Sequence, residues 1–115
     1  MKKITFLILL ITSFTSYGQV IISPSNFEVN QSITITVDTN SNQTDCNGFS
    51  SPNKVYMHSG VATDNSGFNL KVIGNWGQDD GVGEMTSNGD GTYSITITPE
   101  TYYGLTASEA ASVVT

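Results

Sequence analysis

Trp76 stands among small and polar neighbours: Asn75 before it, Gln78, Asp79 and Asp80 after it, and glycines at 74, 77, 81 and 83. A sugar ring is recognised by laying its C–H face on an aromatic ring while planar amides and carboxylates bind its hydroxyls. This run holds both kinds of group. Glycine lets such a loop turn tightly and lets a ligand approach its backbone. The same residue has a second reading, as the core tryptophan of a β-sandwich. Composition and spacing leave the two open.

Tyr56 and His58 lie two residues apart, so in an extended segment they share one face, opposite Val55 and Met57. If the latter pair points inward, Tyr56 and His58 form an exposed polar-aromatic strip that adds secondary contacts to Trp76. The alternative for a lone histidine is a satisfied structural role. No metal cluster accompanies it, since Cys46 is twelve positions away with no ligand spacing.

Asp79 and Asp80 raise glycoside hydrolysis as a possibility to be weighed. That chemistry needs two carboxyls facing each other across a bond, about 5–9 Å apart, with one pKa raised by burial. Adjacent residues on a glycine-rich loop diverge, so the pair reads as a turn or as a calcium contact, hard cations taking carboxylate oxygens. Asp38-Thr39-Asn40-Ser41-Asn42 begins like a calcium loop and then fails, with Gln43 where glycine is required and Phe49 where the bidentate acid belongs. No nucleophile motif stands beside the sole histidine. No catalytic residue is expected.

The elements that must hold these groups are strands. Ile33, Ile35 and Val37 alternate with Thr34 and Thr36, and Tyr93, Ile95 and Ile97 alternate with Ser94, Thr96 and Thr98. Lys54 to Val61 is a third strand by pattern, Leu70 to Ile73 a shorter fourth, and Val20 to Ile22 an edge strand ended by Ser23-Pro24. A fifth short strand around Met85 leads into Asn88-Gly89-Asp90-Gly91, a hairpin turn whose residues tolerate positive φ. Tyr102-Tyr103 reads as a plug at the end of a sandwich, with a second aromatic platform as the alternative. Thr106-Ala107-Ser108-Glu109 has capping-box spacing and predicts a short C-terminal helix. The chain stops inside or just after it with no returning strand, so the expected all-β sandwich is incomplete at its C-terminus.

Residues 1–18 read as a secretory signal peptide: basic Lys2-Lys3, an apolar run from Ile4 to Ile11, and a small-residue tail ending at Gly18. The run is shorter than the roughly 20 residues a membrane span needs. The expected mature chain, 19–115, is one module placed outside the cell or on its surface. It keeps only Lys54 and Lys71 against ten carboxylates and has no arginine. A phosphate backbone would be repelled, which excludes nucleic acid, and anionic membranes fall on the same ground. Neutral polar ligands stay open. The lone Cys46 makes no internal disulfide and is expected to be buried.

Two stretches carry a resemblance. Ile22-Ser23-Pro24-Ser25-Asn26-Phe27 through Ile33-Thr34-Ile35-Thr36-Val37 resembles the first strands of immunoglobulin-like modules in secreted bacterial glycan-degrading proteins. Lys54 to Val61, Gly74-Asn75-Trp76-Gly77-Gln78-Asp79-Asp80-Gly81-Val82-Gly83-Glu84-Met85-Thr86 and Gly91 to Ile97 are similar to starch-binding-type modules beside α-amylase domains and in surface starch-utilisation proteins. The likeness implies an immunoglobulin-like β-sandwich and a non-catalytic module for starch or a related α-glucan. It also implies a larger parent protein, often with a C-terminal sorting domain for export to the cell surface; a rival, enzymatic reading makes this segment the N-terminal ancillary part of an α-amylase-like polypeptide whose catalytic domain is its partner. The expected contacts are Trp76, Asn75, Gln78 and Asp79, with Tyr56 and His58 secondary. The rival reading is a structural spacer or adhesin domain with no small-molecule ligand.

Overall fold

The computed structural model describes residues 20–40, 52–65 and 67–113. The signal peptide with its cut near Gly18, Cys46, and the positions of Gln43 and Phe49 lie outside the described residues. The described chain runs β1 (Val20–Ser23), β2 (Ile33–Asp38), β3 (Ser59–Val61), β4 (Lys71–Ile73), β5 (Thr86–Ser87), β6 (Thr92–Ile97), α1 (Pro99–Tyr102) and α2 (Ala107–Ser112). It is a small all-β fold of antiparallel sheets with two short helices.

The larger sheet has the order β1-β2-β6-β5 and is built on the β2–β6 ladder. Its register sets Ile33 against Ile97, Ile35 against Ile95 and Val37 against Tyr93. All six side chains therefore share one face, as strict alternation requires. Ile33, Ile97, Val37 and Tyr93 are buried. Each buried aliphatic of this kind contributes about 1.5–3 kcal/mol relative to an exposed one. On the other face the hydroxyls pair across the strands, Thr34 with Thr96 at 2.9 Å and Thr36 with Ser94 at 2.9 Å. β1 is the edge strand expected, and β5 joins β6 through the expected turn, where Gly89 and Gly91 adopt φ of 85° and 86°.

The smaller sheet is the β3–β4 hairpin, in the register Ser59–Ile73, Gly60–Val72, Val61–Lys71. Val61 and Ile73 pack on the cluster of Ile33, Ile97 and Tyr103, so this hairpin covers the apolar face of the larger sheet. Gly60 and Val72, on the alternate positions, face outward. A second cluster joins Val37, Val55, Met85 and Tyr93.

The expected strand Lys54–Val61 is corrected to Ser59–Val61. Upstream of it the alternation persists without a ladder: Val55 is buried and Met57 packs on both clusters. The backbone there is tied to residues 83–85 by two bonds, Met57 N–H to Gly83 O at 2.8 Å and Met85 N–H to Val55 O at 2.9 Å. A single bridge, Tyr56–Glu84, is all that forms. α1 was not legible as a helix, being one turn opened by Pro99 at its first position. α2 is capped as its spacing predicts: Thr106 Oγ1 accepts from Glu109 N–H at 3.2 Å and Glu109 Oε1 accepts from Thr106 N–H at 2.9 Å. Tyr103 is buried and donates to Ser59 Oγ at 2.7 Å, while Tyr102 meets it edge-on at 5.0 Å. That pair is the plug rather than the platform.

Candidate functional site

The site grows from the hairpin's outward face. Val55 and Met57 turn inward, which leaves Tyr56 and His58 on the other side, as their spacing predicts. Continuing the β3–β4 register by one residue sets Gly74 opposite His58. A Cβ at Gly74 would stand 2.5 Å from His58 Nδ1, and its φ is 136°, so only glycine fits there. The chain then rises through Asn75 and turns back, Gln78 N–H bonding Asn75 O at 3.1 Å. That turn lays Trp76 over His58, with ring centroids 4.4 Å apart and planes 29° apart.

Trp76 is 80% exposed, which overturns the core reading. One indole face rests on the imidazole and the other faces solvent. Beside it is a cleft of about 290 Å³, lined by Tyr56, Met57, His58, the 74–79 loop and Val82. All six residues expected at the site therefore converge on one cleft. The His58 Nδ1 atom is buried, with no hydrogen-bond partner among the described residues.

Convergence does not leave every group available. Asp79 is clamped by Lys54, whose Nζ donates to both carboxylate oxygens at 2.9 and 3.1 Å, and by the Tyr56 hydroxyl. That hydroxyl also lies 3.0 Å from Glu84 Oε1, and its single proton serves one acceptor at a time. The Tyr56 bond first, then Lys54, holds Asp79 below the usual carboxylate range. The same bond to Asp79 pushes Tyr56 well above its ordinary value, and Asp79 likewise raises Lys54. Asp80 points elsewhere. It accepts from Asn75 Nδ2 at 2.7 Å and Val82 N–H at 3.0 Å, and these bonds lower its pKa in that order.

Asp79 therefore braces the loop while its side chain stays largely exposed, and Asn75 spends one amide proton on Asp80. The Gln78 side chain carries no partner among the described residues and lies exposed at the cleft. Lys54, Glu84 and Val82 were missed in the sequence. Lys54 lies 25 positions from Asp79 and Tyr56 lies 28 from Glu84, so no local spacing could announce either contact. Among the described residues, no group of three or more His, Cys, Asp or Glu is placed to hold a metal. No helix there is long and apolar enough to cross a membrane.

Residues 20–114 match a family model described as a domain of unknown function, DUF8578. No curated protein and no solved structure matches the chain.

Proposed function

The chain belongs to the DUF8578 family, whose description carries no activity, and we propose from its geometry that it is a non-catalytic carbohydrate-binding module. The observation that carries this is the indole of Trp76, 80% exposed and held flat against His58 with its second face open. An indole with one open flat face beside planar amides is the arrangement on which a sugar's C–H face stacks. Gln78 and the remaining amide capacity of Asn75 supply the planar hydrogen-bonding groups beside it. Tyr56 and His58 work chiefly from below, by fixing Asp79 and the indole.

The ligand of this reading is a neutral polysaccharide, starch or a related α-glucan, bound outside the cell on behalf of a catalytic domain. Asp79, Asp80 and Glu84 against Lys54 leave the rim negative, which disfavours uronates and sulfated chains. The module itself supplies no hydrolysis in this reading. A glycosidase acid must hold its proton near neutrality, whereas Asp79 and Asp80 are both held ionised. The strand order β1-β2-β6-β5 is that of the four-stranded sheet of an immunoglobulin domain, which supports an immunoglobulin-like frame.

The test is retention on insoluble starch, with soluble α- and β-glucans as a panel. Trp76→Ala is expected to abolish retention and leave the far-UV spectrum nearly unchanged. Because Trp76 is the sole tryptophan, its emission should also shift on titration with the bound glucan. An unshifted emission and no retention across the panel would leave only a β-scaffold.

A further inference from the structure

β1 is open on its outer side. It is the terminal strand of the larger sheet, and among the described residues it pairs only with β2. Its apolar side chains stay in water: Val20 is 55% exposed, Ile21 61% and Ile22 39%. The register sets Val20 against Val37 and Ile22 against Ile35, so both stand on the sheet's apolar face. The β3–β4 hairpin covers that face over Ile33 and Ile97 but leaves β1 exposed. Ile22 also walls an apolar groove of about 440 Å³ between the two sheets, with Phe27, Ile33, Ile35, Val61 and Tyr103. The sandwich is thus open along its β1 side.

An unpaired strand edge presents a row of backbone N–H and C=O groups, a template for another strand. Such edges are usually protected by charge, proline or a bulge. Val20–Ser23 has no charged residue and no proline, and its four pairs with β2 run unbroken. The other described strands are poorer templates. β5 has two residues, β3 and β4 have three each, and β4 carries Lys71.

We propose that β1 is an interaction edge on which a second copy of this chain docks by its own β1, making one continuous sheet across a two-fold axis. The inference does not depend on the carbohydrate reading. An axis normal to the sheet lays the two strands antiparallel and keeps each face on its own side. Centred on Ile21, it sets Ile21 against Ile21 of the partner subunit and Val20 against Ile22 of the partner subunit. Centred on Ile22 it would oppose Val20 to a proline, Pro24, which has no N–H to give. In the Ile21 register the apolar row continues apolar, and an uncharged strip meets an uncharged strip. This self-complementarity singles out a second copy, since a strand bearing charge would have to bury it against isoleucine. Each copy spends its one long free edge, so the contact closes at two. Four residues a side cover less than the roughly 800 Å² per partner of a standard interface. The pairing is therefore weak, with half-association expected at about 10–100 μM.

The experiment is sedimentation velocity of the whole chain from about 1 to about 500 μM, where a monomer–dimer equilibrium is expected. Each copy is acidic, with ten carboxylates against four basic residues. Raising salt from about 0.05 to about 0.5 M should therefore strengthen the dimer by screening the repulsion between copies. Ile21 is exposed beside Thr36, so Ile21→Lys and Ile21→Glu should keep the wild-type far-UV spectrum. Each alone should stay monomeric, because like charges then oppose across the axis. An equimolar mixture of the two should dimerise again. Val20→Lys is the second disruption, should either Ile21 variant misfold. A wild type that stays monomeric to about 500 μM at both salt concentrations overturns the proposal. A dimer that persists in folded Ile21→Lys or Val20→Lys also overturns it, by placing the contact elsewhere. So does a mixture of the folded Ile21 variants that remains monomeric where the wild type pairs.

Discussion

The β2–β6 ladder and the β3–β4 hairpin are both antiparallel pairs with outward and inward faces, yet they are held by different means. In the ladder, six consecutive cross-strand pairs stack apolar groups on one side and hydroxyls on the other. The hairpin has three pairs, and the outward face at its His58 end is organised by Gly74, the Trp76 ring on His58 and a clamp of Lys54, Tyr56 and Asp79. The ladder derives its stability from burial repeated along a strand. The hairpin's outer face depends on individual contacts, each of which positions a ring. Burial is degenerate and tolerates exchange of one apolar group for another, whereas Gly74, at a positive φ against His58, takes no side chain without strain.

The contrast is broken most directly at Ile33, which is 3% exposed in the ladder. Ile33→Ala is expected to cost about 2–5 kcal/mol, the range for an aliphatic cavity in a core. Urea denaturation should show that loss, whereas Trp76→Ala should move the midpoint by no more than about 0.5 kcal/mol, as exposed positions do. Comparable losses from the two variants would mean that the indole belongs to the core energetically despite its exposure.

That contrast also explains what the sequence disclosed. Period-two alternation made β2 and β6 readable, because one face of each is buried along its whole length. The Asn88–Gly91 turn and the Thr106–Glu109 box were readable because their chemistry is local. Lys54–His58 was read as a strand since it alternates, but its alternation answers to the core on one side and to the cleft on the other, with only the Tyr56–Glu84 bridge beside it. Trp76 stayed ambiguous because exposure is decided by a partner eighteen positions away, His58.

Gly74→Ala sharpens the comparison on the hairpin side. The new methyl would meet His58 at a backbone φ of 136°, so strain of about 1–3 kcal/mol is expected. The distinguishing readout is local: Trp76 emission and glycan affinity should change together, since the imidazole beneath the indole must move. The equivalent substitution in the ladder, Ile35→Val, should leave both untouched. A Gly74→Ala protein with wild-type emission would show that the His58 contact is not what holds the ring.

A smaller effect is expected at Thr106, whose hydroxyl caps α2. Glu109, its partner in the cap, also lies 3.8 Å from Lys71 on β4, so α2 leans on the hairpin from the end opposite Trp76. Thr106→Ala should cost about 1 kcal/mol and leave Trp76 emission unchanged. A shifted emission would mean that the hairpin transmits strain along its length and is stiffer than three pairs suggest.

The mildest test is pH. Asp79 and Asp80 have lowered folded pKa values, so their contribution is complete above the ordinary carboxylate value of about 4 and disappears as pH falls through the lower folded values. Tyr56 and Lys54 are raised, so theirs is complete below about 10 and is lost as pH rises through the folded values. The clamp should thus be constant between those limits and weaken outside them. Asp79→Asn removes the charge that both partners use. Its urea midpoint should fall less steeply than the wild type's below about pH 4, and less steeply above about pH 10. The ladder has no charged pair on its apolar face, so no other part of the β2–β6 core should reproduce this two-sided loss. Equal acid and alkaline limbs in the two proteins would mean that the clamp is an exposed contact that orients Asp79 without stabilising the loop.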